Sequence, residues 1–327
     1  MFNFKSATFI IAIFLLLISP TAFATSSQDV TLLLNLGNQQ LNDKQYDDSI
    51  ATFSQLLELD STNTTAYNQR GFAYLRKNNY SVAINDFTKA IEYNPQSYQA
   101  FAHRGTAYSL VGQNELALTD FATSIRLNPG YPVSYFSRGN FYVYLKKYDL
   151  AIDDFTKLIE ITPISISYLY RARVYCFETK QYELALADVN KAIELDPRNI
   201  RAYEIRSLVN GRLKNYDQDI TDCSTILEFD PSNFGALINR SNAYGLLGQY
   251  DNSITDSLKA IQLNDKILMA HFNLAQGYEL SGQKEAALKE YQISLNILQY
   301  YPSVYTKERQ KAQSRLNGEW ETYNEWL

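Results

Sequence analysis

The chain has few of the residues on which small catalytic and metal sites are built. Among 327 residues there are two histidines, two cysteines, two methionines and two tryptophans. Only His103 and His271 are available as imidazoles, and they lie far apart, so a histidine-based metal site is not expected. Glycine (13) and proline (8) are sparse for this length, which argues against a fold rich in loops or turns. There is no excess of basic charge: 30 Lys and Arg stand against 35 Asp and Glu, a net charge of −5. A nucleic-acid surface or a surface for anionic membranes would need a basic stripe, so neither partner is expected. No phosphate loop of the GxxxxGK type, no GxSxG elbow and no HExxH occurs. No cofactor is expected, and the chain reads as a non-enzyme.

What is abundant is tyrosine, 26 residues, within a composition that is 46% hydrophobic. Many aromatics with few breakers point to helices packed on one another through short connections. Residues 1–24 differ from the rest. Lys5 gives a positive start, Ala7 to Ile18 is a mostly apolar run, and Ala22-Phe23-Ala24 is a small-x-small cleavage site. This reads as a secretory signal peptide cut after Ala24, because the apolar run is shorter than the roughly 20 residues of a spanning helix. The mature chain is then expected to be exported, periplasmic or secreted, with no stable membrane insertion. In such a compartment Cys176 and Cys223 have the option of pairing, but their places in the pattern below suit small buried hydrophobes better. Three N-x-S/T sequons, at Asn63, Asn79 and Asn239, are explained as well by chance.

The rest of the chain repeats itself. The run DFTKAIEYNP ending at Pro95 returns as DFATSIRLNP to Pro129, DFTKLIEITP to Pro163, DVNKAIELDP to Pro197 and DCSTILEFDP to Pro231, each 34 residues after the last. Upstream of each lies an aromatic-bearing helical stretch, such as SYFSRGNFYVYL from Ser134, and a polar turn, such as Lys146 to Asp149. One repeat is therefore two helices and two turns. Gly71 and Ala83 are small where two helix axes approach, Tyr74, Phe87 and Ala90 fall at helical spacing on facing surfaces, and Pro95 stops the second helix. In the fifth repeat, YRARVYCFETKQYELAL carries one residue more than its siblings; the expectation is that the turn holds it, the loop before being one residue shorter.

This pattern resembles the tetratricopeptide repeat family over about Val30 to Pro302, in about eight units. The family positions fall on Tyr67, Gly71, Tyr74, Ala83, Phe87, Ala90 and Pro95 in the second unit, and on Phe101, Gly105, Tyr108, Ala117, Phe121, Ser124 and Pro129 in the third. The resemblance implies an all-α fold, an α-solenoid coiled as a right-handed superhelix of helix-turn-helix repeats. Three segments are expected: a signal peptide, 1–24; the repeat array, 25–302; and a C-terminal capping helix with a tryptophan-bearing tail, 303–327. The end units deviate, as an array with one neighbour missing at each end requires.

Arg70 and Asp86 sit inside this pattern and recur as Arg104 with Asp120, Arg138 with Asp154, Arg171 with Asp188, Arg206 with Asp222 and Arg240 with Asp256. The first and eighth units have Leu36 with Thr52 and Leu274 with Glu290 instead. An arginine row for binding anions would need no matched aspartate in every unit. Paired, partly buried charges joined as two-point forks are therefore expected. Whether each pair closes within a unit or reaches the next is open at this level. Acidic residues such as Asp149, Glu183, Asp217 and Asp251 suit helix N-termini rather than acid–base chemistry.

The resemblance also implies a concave groove, lined by first helices, that holds a peptide or a partner's helix. Carried over, it includes Asn68, Phe72 and Arg76; Phe136, Asn140 and Tyr144; and Leu169, Arg173, Phe177, Glu204, Leu208 and Arg212. The clamp by which one subtype holds the free carboxylate of chaperones is not supported, because Leu34 stands where a clamp lysine would be and Gln69 where an asparagine would be. The function expected is a non-enzymatic scaffold for protein or peptide segments of unknown identity. Alternatives are a regulatory or substrate-delivering subunit of a separate enzyme, or a structural component of an envelope or secretion assembly. At the C-terminus a helix over Tyr305 to Leu316 is expected to stop at Asn317-Gly318, with Trp320, Tyr323 and Trp326 beyond it either capping the stack or anchoring a partner.

Overall fold

The computed structural model describes residues 27–300 and 305–320. The signal peptide with its cleavage site after Ala24, Pro302, Tyr323 and Trp326 lie outside the described residues. Among those described, every regular element is helical: Ser27–Asn42 (α1), Tyr46–Leu59 (α2), Thr64–Arg76 (α3), Tyr80–Tyr93 (α4), Tyr98–Leu110 (α5), Asn114–Leu127 (α6), Pro132–Tyr144 (α7), Tyr148–Ile161 (α8), Ser165–Arg173 (α9), Tyr182–Leu195 (α10), Ile200–Arg212 (α11), Tyr216–Phe229 (α12), Phe234–Leu246 (α13), Tyr250–Leu263 (α14), Leu268–Leu280 (α15), Lys284–Leu298 (α16) and Thr306–Leu316 (α17). By packing the chain divides into two units at 137/138, within α7. In each unit consecutive helices pair as hairpins and each hairpin packs on the next, an all-α solenoid as expected.

The sequence dictates the hairpin locally. In α4, Ala83, Asp86, Phe87 and Ala90 are buried, the i, i+3, i+4, i+7 spacing of one helix face. The turn after each first helix is closed by a left-handed residue at the same repeat position: Lys44, Asn78, Lys146, Lys180 and Lys214 have φ between 55° and 62°, and Gly112, Gly248 and Gly282 take over elsewhere. Around Asn78 the amides of residues 77 to 79 bond back to the Ala73, Leu75 and Tyr74 carbonyls, using acceptors the helix end leaves open. Where Asn or Asp stands before the proline that follows a second helix, its side chain fixes the bend. Asn94 Oδ1 accepts from the Gln96 amide at 3.0 Å, Asp196 Oδ1 from Arg198 at 3.1 Å and Asp230 Oδ1 from Ser232 at 3.0 Å.

Within a hairpin, close approach is set by one pair of side chains. A Cβ on Gly71 would meet the Phe87 ring at 2.8 Å, one on Gly105 the Phe121 ring at 2.9 Å, and one on Gly139 the Phe155 ring at 2.8 Å. In the next three hairpins a larger first residue goes with a smaller second one, Ala172 with Val189, Ser207 with Cys223 and Ser241 with Ser257, whereas the last hairpin has Ala275 with the large Tyr291, all buried. In those three hairpins volume added on one side of the contact goes with volume removed on the other, as a close-packed interior requires.

The fifth repeat corrects one expectation. Its extra residue is not in the turn but inside the first helix, where α9 runs into a π-helical stretch at Val174–Glu178. A π-turn absorbs one residue without breaking the helix, so the second helix begins in register.

Candidate functional site: two grooves and an ion-pair ladder

Each arginine of the periodic pairs lies on a first helix and each aspartate on the second helix of the same hairpin. Arg70 Nε donates to Asp86 Oδ2 and Nη2 to Oδ1, both at 2.8 Å. Arg104, Arg138, Arg171, Arg206 and Arg240 form the same two-point fork with their own aspartates. The aspartates are buried and the arginines show about a fifth of their side chains to solvent. At Asp154 burial pushes the carboxyl pKa up and the Arg138 fork pulls against it, leaving it raised. Every arginine also lies against a ring, as Arg206 over Tyr203 at 5.5 Å.

The third guanidinium donor, which the sequence left open, reaches the preceding hairpin. Arg70 Nη1 donates to Ser54 Oγ at 3.0 Å, Arg104 Nη1 to Thr88 Oγ1 at 3.1 Å, Arg171 Nη1 to Thr156 Oγ1 at 2.9 Å, Arg206 Nη1 to Asn190 Oδ1 at 2.9 Å and Arg240 Nη1 to Ser224 Oγ at 2.9 Å. One side chain thus ties the two helices of its hairpin and the hairpin before it. With all three directions of these guanidinium groups engaged, the ladder is structural.

In the eighth hairpin Glu290, at the aspartate position, pairs with His271. His271 Nδ1 lies 2.7 Å from Glu290 Oε2, and Nε2 lies 2.9 Å from the Asp265 carbonyl. Burial works against the charged ring, but the Glu290 and Asp265 bonds outweigh it and the pKa is raised. His103 is its opposite. It packs against Phe72 and Phe87, with Nδ1 3.1 Å from Asn68 Oδ1, and desolvation pushes its pKa down to about 4. Both cysteines are free and buried in separate clusters, Cys176 with Leu169 and Val189, Cys223 with Ile226 and Ala236. Burial raises both thiol pKa values, Cys176 to about 11, so neither is an activated nucleophile. Among the described residues no cluster of three or more His, Cys, Asp or Glu side chains is placed to hold a metal ion, and no helix is long and apolar enough to cross a membrane.

Two grooves run over first helices, one in each unit. The first, about 500 Å³, is lined by Thr64, Thr65, Asn68, Gln69, Phe72, Asn94, Ser97, Gln99, His103 and Tyr131, with no carboxylate, ammonium or guanidinium group among these residues. The second, about 700 Å³, is lined by Ile166, Leu169, Tyr170, Arg173, Phe177, Arg201, Glu204, Ile205, Leu208, Ile226, Asn233, Gly235, Ala236 and Asn239. Of the sequence-derived groove residues, Asn68 and Phe72 meet in the first, and Leu169, Arg173, Phe177, Glu204 and Leu208 in the second. Leu169 is almost fully buried and forms floor rather than wall. Arg76 lies over the Tyr46 ring at 5.9 Å, and neither it nor Arg212, Phe136, Asn140 or Tyr144 lines either groove. Sequence reasoning missed Arg201, Tyr170 and Ile166 of the second groove. Arg201 falls in the first turn of α11, where its position relative to the preceding loop decides which way it faces.

The family model described as Tetratricopeptide repeat matches residues 64–97, 132–165, 167–199 and 234–267. No curated protein matches this chain. Among solved structures it is similar to YrrB, a TPR protein with an unusual peptide-binding site, at 23% identity over 56% of this chain and 95% of that one, TM-score 0.50. It is similar to TTC0263, a thermophilic TPR protein of Thermus thermophilus, at 19% identity over 55% and 98%, TM-score 0.50. It is also similar to pilF of Pseudomonas aeruginosa, at 17% identity over 63% and 94%, TM-score 0.55. At these identities the likeness is one of fold.

Proposed function

Because the chain is a tetratricopeptide-repeat protein, a class built for binding other proteins, we propose that it is a non-enzymatic scaffold that holds extended peptide segments in its first-helix grooves. One observation carries the reading. In the second unit, Leu169 and Ile205 from successive first helices, with Ile226 from the second helix α12, make an apolar floor under a wall of exposed or half-exposed Phe177, Ile166, Leu208 and Arg173. A floor of that kind with aromatic and arginine walls suits side-chain pockets and backbone contacts at once. The peptide-binding site of YrrB supports the reading by analogy of fold.

The rival reading places the working surface on the second helices, where Leu150 and Leu184 stand exposed, as in a structural component of an envelope assembly. Single exposed leucines are ordinary surface, so the groove is preferred. Photocrosslinkers placed one at a time at Phe177 and at Leu184 separate the two. Adducts with short protein segments should form from Phe177; adducts from Leu184 alone would move the function to the outer face. Delivery of substrates to a separate enzyme would use the same groove and differ only in the partner found there.

We also propose that the protein is exported after cleavage behind Ala24, on the strength of Lys5, the Ala7 to Ile18 run and Ala22-Phe23-Ala24. N-terminal sequencing of the mature protein should begin at Thr25; a retained Met1 would overturn this.

A further inference from the structure

We infer that the groove of the second unit selects segments in which acidic residues adjoin apolar ones. The inference rests on the reading of that groove as a peptide site and adds the chemistry of the occupant. Arginines in the ladder have their charge taken up by forked aspartates. Arg173 and Arg201, on the groove, are both exposed, and among the described residues neither guanidinium group has a hydrogen bond, an ion pair or a ring contact. Two unengaged guanidinium groups therefore face the space a ligand would fill. The one carboxylate among the lining residues is Glu204, whose Oε1 accepts from Asn233 Nδ2 at 3.4 Å. The groove is thus locally positive in a chain whose net charge is −5.

The apolar half of the preference comes from a separate feature. Phe177 belongs to the π-helical stretch and is 52% exposed while lining the groove; Ile166 is 38% exposed. A π-turn shifts the side chains that follow it around the helix, and such turns gather at functional sites. Here the stretch carries Phe177, which lines the groove together with Arg173. A carboxylate meeting either guanidinium gains charge-assisted, geometrically fixed hydrogen bonds, while its apolar neighbours cover Phe177 and Leu208. The residues lining the groove of the first unit include no guanidinium group, so the preference belongs to the second alone.

The test uses the full chain and three pools of short, amidated, fluorescein-labelled peptides. Two central positions are fixed as Glu, Gln or Lys, and the flanks are mixtures of Leu, Ile, Phe and Ala. By fluorescence anisotropy the Glu pool should bind at least about tenfold more tightly than the Gln pool, the Lys pool most weakly, and added salt should shrink the difference. The double variant Arg173→Gln, Arg201→Gln should abolish the Glu-over-Gln ratio, so that the two pools bind alike; a ratio that survives in a folded double variant would overturn the assignment to these two arginines. Equal binding of Glu and Gln pools by the unaltered protein, or preference for Lys, would overturn the selectivity and leave the groove reading standing. Failure of every pool to bind would overturn both. The pool comparison is made on the unaltered protein, so it holds whatever the variant does to folding.

Discussion

Arg171 and Asp188 form the same fork as the other ladder pairs, Nη2 to Oδ1 at 2.7 Å and Nε to Oδ2 at 2.8 Å, although seventeen residues separate them instead of sixteen. The pair survives because the π-helical stretch takes up the extra residue between them. Preserved through an insertion, the fork marks a constraint on hairpin geometry rather than a by-product of spacing.

Arg138→Ala should therefore destabilise by roughly 3 to 5 kcal/mol, because Asp154, 3% exposed, would be left buried without its partner. Replacing both residues with apolar ones of similar volume should cost much less. Chemical denaturation of the two single variants and the double variant measures the coupling. Unchanged stability of Arg138→Ala combined with loss of binding to an anionic partner would make the arginines a site instead.

How much of this was legible follows from where each partner lies. The repeat, the small residues at the close approach and the matched Arg and Asp all recur at 34 residues, so periodicity alone exposes them. The bonds from Arg70 to Ser54 and from Arg171 to Thr156 cross between hairpins, and they depend on a stagger of helices that spacing does not encode. The extra residue of the fifth repeat was visible, but a longer turn and a π-turn give the same downstream register. Glu290 was seen as a departure from the ladder; its partner His271 was not, because it stands one turn before the usual arginine position. The groove was legible only through the family resemblance, which brought together Arg173, Phe177 and Leu208 and missed Arg201.

Gly71→Ala should destabilise by about 1 to 3 kcal/mol, since the new methyl group would overlap the Phe87 ring at 2.8 Å. Adding Phe87→Val reproduces the Ala172 with Val189 combination of the fifth hairpin. It should make the double variant more stable than the sum of the single effects, and additivity in thermal unfolding would show that volume is not traded across this contact.

Asp219 replaces the alanine found at residues 83, 117, 151 and 185 and is buried with Ser207 Oγ donating to it at 2.5 Å. Burial raises its pKa, Asp222 adds to this, and the Ser207 and Cys223 bonds oppose it. The native state then holds the proton more tightly than the unfolded chain, so stability falls as pH rises from the ordinary carboxylate range through the folded pKa. Asp219→Ala should remove that slope and stabilise the protein by about 1 kcal/mol at neutral pH. An unchanged pH profile of the melting temperature would contradict it.

His271 titrates at higher pH. Its folded pKa lies above the ordinary imidazole value through Glu290 and the Asp265 carbonyl, despite burial. Its contribution is complete below the unfolded pKa and is lost as pH rises through the folded one. His271→Gln should flatten the stability profile between about pH 6 and 8. The wild-type profile should decline there, and a rise would show that the ring is neutral in the folded protein.

Trp320 packs on Phe272, Ala275, Ala287, Tyr291 and Ala312, with Lys284 Nζ 5.0 Å and the Arg315 guanidinium 5.9 Å from its ring. Arg315, buried, also donates from Nε to Glu279 Oε1 at 2.8 Å, and Tyr291 donates its hydroxyl to Glu279 Oε2 at 2.5 Å. The ring thus closes α15, α16 and α17 from the outside, which favours capping over a free anchor. Trp320→Ala should lower stability by roughly 3 kcal/mol or more, as truncating a packed aromatic does. It should also increase the binding of an apolar dye at the exposed end of the stack. Tryptophan fluorescence supplies an independent check: the single-tryptophan form Trp326→Phe isolates Trp320, whose emission should be shifted to shorter wavelength. Solvent-exposed emission from that variant, or Trp320→Ala melting as the wild type while losing association with a partner, would make the residue an anchor.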